Sequence, residues 1–187
     1  MKKALYTFLL LAIPVTAAPW TLVEPGMVAT PKKGGYSVQL PPGWIYDTPS
    51  NAVIVASRDG MLLNEIRLEL APHDKVFKGI KKRSSPDALP EDLAEMYVAS
   101  IQAAPNIHDV EVLATEPAEL AGHQAFRVHL RYHIPEGMGG AVFDRVAVGA
   151  PLATGLLIVH FEAPGLYQFP KWAPAFEEML KFVTVGQ

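Results

Sequence analysis

Four basic side chains alternate along AFRVHLRYHI, residues 125–134: Arg127, His129, Arg131 and His133. Two histidines four apart are a metal-binding spacing on a helix, where they share a face. The intervening residues argue against a helix. Phe126, Val128, Leu130, Tyr132 and Ile134 take the other parity, and a strict period of two marks a strand. On a strand the imidazoles stand roughly 13 Å apart, at about 3.3 Å per residue. One zinc ion needs both nitrogens at about 2 Å, so no shared metal follows. What remains is a row of cations on one strand face. It could contact a small anion or a partner. It could instead pair with acids of another strand, with Glu65 and Glu69 of NEIRLEL as candidates. Each such pair is worth roughly a few tenths of a kcal/mol.

A second group of cations lies in KVFKGIKKR, residues 75–83: Lys75, Lys78, Lys81, Lys82 and Arg83. In an acidic chain this is a local excess of charge. It suits lipid headgroups, an acidic glycan or another protein, or it is simply a solvated loop.

Catalytic constellations do not emerge. There is no cysteine, no G-x-S-x-G, no H-E-x-x-H and no D-x-D-x-D-G. His73-Asp74 and His108-Asp109 are sequence neighbours, which creates no special geometry. GMGG at residues 137–140 has the composition of a phosphate loop. A phosphate cradle opens a helix, whereas this one leads into a strand, as a hairpin tip does. No catalytic residue, cofactor or metal site is assigned.

The first residues indicate the compartment. Lys2 and Lys3 precede an apolar stretch from Leu5 to Ile13, and Val15-Thr16-Ala17 offers small residues for cleavage after Ala17. That is the anatomy of a secretory signal peptide, too short to span a membrane comfortably. Without cysteine there is neither lipid attachment at the cleavage point nor a disulfide. Removal of residues 1–17 leaves 170, enough for one domain with a sizeable core. The basic count then falls from 16 to 14 against 19 acids, a net charge of −5. Such a chain is not built to grip nucleic acid, and no further apolar run reads as a membrane span.

The elements that must position these residues follow in order. Residues 18–35 read as an irregular lead-in, rich in Pro, Gly and Lys, ahead of one domain over residues 36–187. Tyr36–Leu40 alternates as a strand and ends at Pro41-Pro42-Gly43. Pro42-Gly43 suits the centre of a type II turn, which sets Trp44 over the edge of the core. Strands are expected at 52–57, 64–70, 110–115, 125–134 and 141–148. GLLIVHFEA, residues 155–163, is apolar on both faces and suits a central strand. Pro90 opens a helix with a stripe through Leu93, Met96, Tyr97, Ser100 and Ile101. Residues 171–183 form a second helix, with Pro174 confined to its first turn. The order predicts an α+β fold, a mostly antiparallel sheet flanked by helices.

The stretches LPPGW, LPEDLAEMYVASIQ, AELAGHQAFRVHLRY and GLLIVHFEAP, with a helix after the last, occur in an order that resembles the PsbP-like superfamily. That superfamily holds the extrinsic photosystem subunit, a Ran-binding nuclear import factor and exported bacterial proteins of the DcrB type. Gly122, Ala125 and Val128 match its G-x-x-A/G-x-x-hydrophobic strand. The resemblance implies an α/β/α sandwich. It implies an adaptor or accessory role rather than catalysis, and it carries over no functional residue. The expectation is an exported, non-enzymatic protein of the cell envelope that binds another envelope protein. The alternative is a binding module or hydrolase for a small anion, working through Arg127, His129, Arg131 and His133.

Overall fold

The computed structural model describes residues 20–135 and 140–186. The expected signal segment and most of the glycine-rich hairpin tip lie outside the described residues. In chain order the elements are β1 (Thr21–Leu22), β2 (Val28–Ala29), β3 (Tyr36–Gln39), β4 (Ile45–Ser50), β5 (Val53–Ser57) and β6 (Glu65–Ala71). Then come α1 (Pro90–Gln102), β7 (His108–Leu120), β8 (His123–Ile134), β9 (Ala141–Leu152), β10 (Gly155–Pro164), α2 (Gln168–Leu180) and β11 (Val183–Val185). An eight-stranded antiparallel sheet runs β1-β4-β5-β6-β10-β9-β8-β7, and a small sheet runs β11-β3-β2. The fold is α+β, and β10 is central as its two apolar faces require.

The two faces are covered by different layers. α1 lies over β7 and β8 on one face, where Phe126, Val128, Leu130 and Tyr132 meet Leu93, Met96 and Tyr97. Phe126 fits because Gly149 stands opposite it in register; a Cβ there would collide with the Phe126 ring. On the other face, α2 and the small sheet cover β5, β6, β10 and β9. Ile54, Leu68, Val159 and Phe161 pack there against Phe176, Met179 and Val38. Tyr36 joins the sheets by donating its hydroxyl to the carbonyls of Leu68, at 2.9 Å, and Ala52, at 3.1 Å.

Several elements differ from the sequence reading. The lead-in carries β1 and β2 and buries Val23 and Ala29. β4 was not expected; it ends in Pro49 and Ser50, and its register with β5 slips between Asp47 and Ser50. β7 continues past Thr115 to Leu120, because an edge strand accommodates Pro117 and two register shifts. α2 starts and ends three residues earlier than expected, so Val183 belongs to a strand and Pro174 sits well past the first turn. Pro170 and Pro174 are both exposed, so water can serve the carbonyl that Pro174 cannot bond.

Two turns take positive φ, one at a glycine that adopts it without strain and one at an alanine that does not. Gly43 has φ +76°, and Trp44 N donates to Pro41 O at 3.4 Å, as the expected type II turn requires. Trp44 is 1% exposed, edge-on to Phe161 and Trp172. Gly43→Ala should lower stability by about 1 kcal/mol or more. The β7–β8 turn instead puts Ala121 at φ +51° ahead of Gly122 at +81°. Asn suits that first position of a type I′ turn, so Ala121→Asn should raise stability by roughly 0.5–1 kcal/mol. Denaturant midpoints read both signs, and an unmoved midpoint for Gly43→Ala would refute the turn assignment.

Candidate functional site

The row on β8 faces α2, and acids of that side occupy it. Arg127 donates through Nη2 and Nη1 to the two Glu177 carboxylate oxygens of α2, at 2.6 and 3.1 Å. Arg131 clasps Asp144 of β9 in the same two-pronged way, at 2.8 and 3.0 Å. His129 stacks on Phe169 with centroids 5.2 Å apart, and burial lowers its pKa. His133 Nε2 lies 2.9 Å from the Gly140 carbonyl. Glu65 and Glu69, the acids expected to balance this row, lie on the opposite face of the sheet. Alternation sorted each strand correctly but could not relate the phase of one strand to another.

The basic loop is pinned rather than free. His73 bridges Ser84 Oγ at 2.5 Å and the Leu152 carbonyl at 2.8 Å, and Phe77 and Ser84 are buried. Lys75, Lys78, Lys81, Lys82 and Arg83 are all exposed on it. Among them Lys78 reaches the rim of a cleft that sequence reasoning missed.

The cleft, about 410 Å³, opens where α1 stops covering its face of the sheet. Its floor is built from alternating residues of three neighbouring strands. Register sets Glu65 opposite Glu162, Arg67 opposite His160 and Arg145 opposite Glu162. Tyr97, Ser100 and Ile101 of α1 form one wall, and Val76 of the basic loop forms another part. The missed signal is the pair His160 and Glu162, two apart in an otherwise apolar strand.

Three carboxylates stand on this floor in unequal circumstances. Glu162 accepts from Arg145 Nε at 2.7 Å and from the Tyr132 hydroxyl at 2.5 Å. Burial alone would raise its pKa, but the Arg145 guanidinium, with His160 and Tyr132, takes it down to about 2. Glu69 accepts from Arg67 Nε at 3.3 Å. Glu65 has only distant neighbours, Arg67 Nη1 at 4.0 Å and His160 Nε2 at 3.9 Å. Burial, reinforced by Glu162, raises its pKa to about 7. Burial next to Arg145 lowers His160 to about 3, so the ring is neutral. The Tyr97 hydroxyl is buried beside Arg145 without a well-formed hydrogen bond. No group of three or more His, Cys, Asp or Glu that could hold a metal occurs among the described residues.

No protein-family model and no curated protein matches the chain. Solved structures do. The chain is similar to cyanobacterial PsbP (CyanoP) from Synechocystis at 14% identity and a TM-score of 0.57, covering 92% of this chain and 95% of that one. It is also similar to the Saccharomyces cerevisiae Ran-binding protein Mog1p at 12% identity and a TM-score of 0.55, covering 85% and 94% respectively. The fold is PsbP-like.

Two measurements test the electrostatics of the cleft. Glu162→Gln strands the Arg145 guanidinium and should cost about 3 kcal/mol. The pH profile of stability should carry opposing limbs. His160, with its folded pKa held below 6.5, gives stability that is lost as pH falls from 6.5 towards about 3. Glu65, with its folded pKa raised above 4.5, gives stability that is lost as pH rises through about 7. His160→Gln should flatten the first limb and Glu65→Gln the second in denaturant titrations. Limbs that persist in these variants would reassign the groups.

Proposed function

We propose that this chain is an exported accessory protein of the cell envelope, without catalysis of its own, that works by binding another protein. The observation that carries this reading is an apolar rim at one end of the large sheet. Met61, Leu62 and Leu63 in the β5–β6 turn and Leu166 and Tyr167 in the β10–α2 turn are all exposed, Leu62 at 69% and Leu166 at 97%. The two turns share an end because Glu65, at the start of β6, pairs with Glu162 near the end of β10. Asp59 ties the β5–β6 turn to the start of α2, accepting from Trp172 Nε1 at 2.8 Å and Lys171 Nζ at 3.3 Å. Large apolar groups left in water together mark an interaction surface, and Tyr and Leu side chains fill pockets well. Of the cations at this rim, Lys171 is paired with Asp59 and Arg58 lies over the Trp172 ring, which suits a protein partner better than an anionic lipid surface.

Export rests on the N-terminal residues Lys2 to Ala17. No helix among the described residues is long and apolar enough to cross a membrane. A protein-binding role has a precedent on this fold in the Ran-binding protein. The small-anion alternative would need an anion to displace Glu177 from Arg127 or Asp144 from Arg131.

The mature protein should be recovered from the envelope fraction starting at Ala18, as read by N-terminal sequencing. Cross-linking and co-purification should capture a protein partner. The double substitution Leu62→Ser with Leu166→Ser should abolish capture at an unchanged melting temperature. Failure to capture any partner under several growth conditions, or full capture by the double variant, would overturn the proposal.

A further inference from the structure

We propose that the cleft beside α1 is a binding site for an aliphatic primary ammonium group, with Glu65 as its counter-ion. The floor sets three carboxylates against two guanidiniums, and two of the three are clasped: Glu162 by Arg145 and Glu69 by Arg67. Glu65 is the carboxylate left over. Its nearest basic atoms stand at 3.9 and 4.0 Å, beyond hydrogen-bond reach. Two further acceptors accompany it. His160 is neutral and sets its Nε2 across that 3.9 Å gap, where, in the tautomer protonated at Nδ1, it is an acceptor that one nitrogen donor can reach together with Glu65. Tyr97, only 4% exposed and on the cleft wall, has a hydroxyl that lies beside Arg145 and makes no hydrogen bond of good geometry. A buried polar atom left unmade is expensive.

A primary ammonium carries three N–H donors on one positive centre, which matches an unpaired carboxylate beside neutral acceptors. The remaining walls set the rest of the ligand. Val76, Ile101, Ile107 and Ile158 are apolar and would line an aliphatic stem. Lys78 and Asn106 also line the cleft. A volume of about 410 Å³ takes a short diamine or the end of a lysine side chain.

Cation binding draws Glu65 to its ionised form, so affinity should depend on pH. The other groups facing it are Arg67 and Glu69 on its own strand, His160 and Glu162 on β10, Arg145 on β9, Tyr97 on α1 and Lys78 on the basic loop. His160 and Glu162, held near 3 and 2, stay neutral and charged respectively between pH 6 and 8. With Glu65 at about 7, affinity should rise on the order of tenfold over that window.

The test is titration of the purified mature chain with putrescine, and separately with Nα-acetyl-lysine methylamide, followed by amide chemical shifts and calorimetry. Shifts should map to Glu65, Tyr97, Ser100 and His160, and binding of either compound supports the site. Whichever binds more tightly tells whether the ammonium comes from a free amine or from a protein lysine. Glu65→Gln should weaken binding by about tenfold or more and remove its pH dependence, as one charge-assisted hydrogen bond and its charge are lost. Tyr97→Phe gives a second reading if Glu65→Gln fails to fold, with a smaller loss of affinity. Glu178→Gln, which removes an exposed carboxylate on α2, should change nothing. Absence of shifts at millimolar amine, equal binding by Glu65→Gln, or an equal response to acetate or inorganic phosphate would each overturn the proposal.

Discussion

An eight-stranded sheet has two faces, and the described residues supply two helices and a three-stranded sheet to cover them. The cover is therefore staggered. α1 sits over β7 and β8 on one face, while α2 and the small sheet sit over β5, β6 and β10 on the other. β9 and β10 lie near the overlap and are mostly buried on both sides. β6 and β8 each have one well-covered face, and the covered face changes sides between them. β8 turns Phe126, Val128 and Leu130 towards α1, while β6 turns Ile66 and Leu68 the other way.

The polar groups follow from that stagger. On β8 the uncovered parity holds Arg127, His129, Arg131 and His133, and the flank of α2 and the edge of β9 reach across to meet them. On β6 the uncovered parity holds Glu65, Arg67 and Glu69, which α1 and the basic loop do not cover but wall in as the floor of a cleft. The boundary of α1 falls across β9 and β10. Arg145, His160 and Glu162 stand at that boundary, too buried for water to screen them fully. A buried ion pair adds little net stability relative to apolar packing, yet it is costly to break. The Arg145–Glu162 pair, closed by the Tyr132 hydroxyl, is therefore better understood as fixing the register of β8, β9 and β10 than as holding the fold together.

Alternation made the strands legible, since inward and outward residues differ in kind at Tyr36–Gln39, Glu65–Ala71 and His123–Ile134. The turn at Gly43 was legible because one residue type suits its φ. Which face each alternation addresses was not, because parity within a strand carries no information about the layer above it. That is why Glu65 and Glu69 stood as candidate partners for Arg127 and Arg131. Some elements were legible only in part or not at all. β1, β2 and β4 are short or irregular, and β7 was read only over 110–115, short of its Pro117. The cleft left one trace: in a doubly covered strand, His160 and Glu162 share a parity, and two polar residues two apart in such a strand mark a gap in its cover. Phe169, which stacks on His129, left none, because that contact depends on where α2 begins.

The rim differs from ordinary exposed apolar residues because its backbone is locked. Asn64 is 1% exposed, and its Oδ1 accepts from Arg58 N at 2.7 Å, Ser57 Oγ at 3.2 Å and Asp59 N at 3.4 Å. Gly60 supplies the positive φ that closes the loop over this centre. Asp59 then reaches out to Trp172, whose ring packs on Trp44. Leu62 and Leu63 thus ride on a turn fixed through one buried side chain to the core. A flexible loop must lose backbone freedom of roughly 1–2 kcal/mol per residue on docking. A turn held from within has lost that freedom at folding, so its apolar contacts would add to affinity for the proposed partner rather than offset ordering.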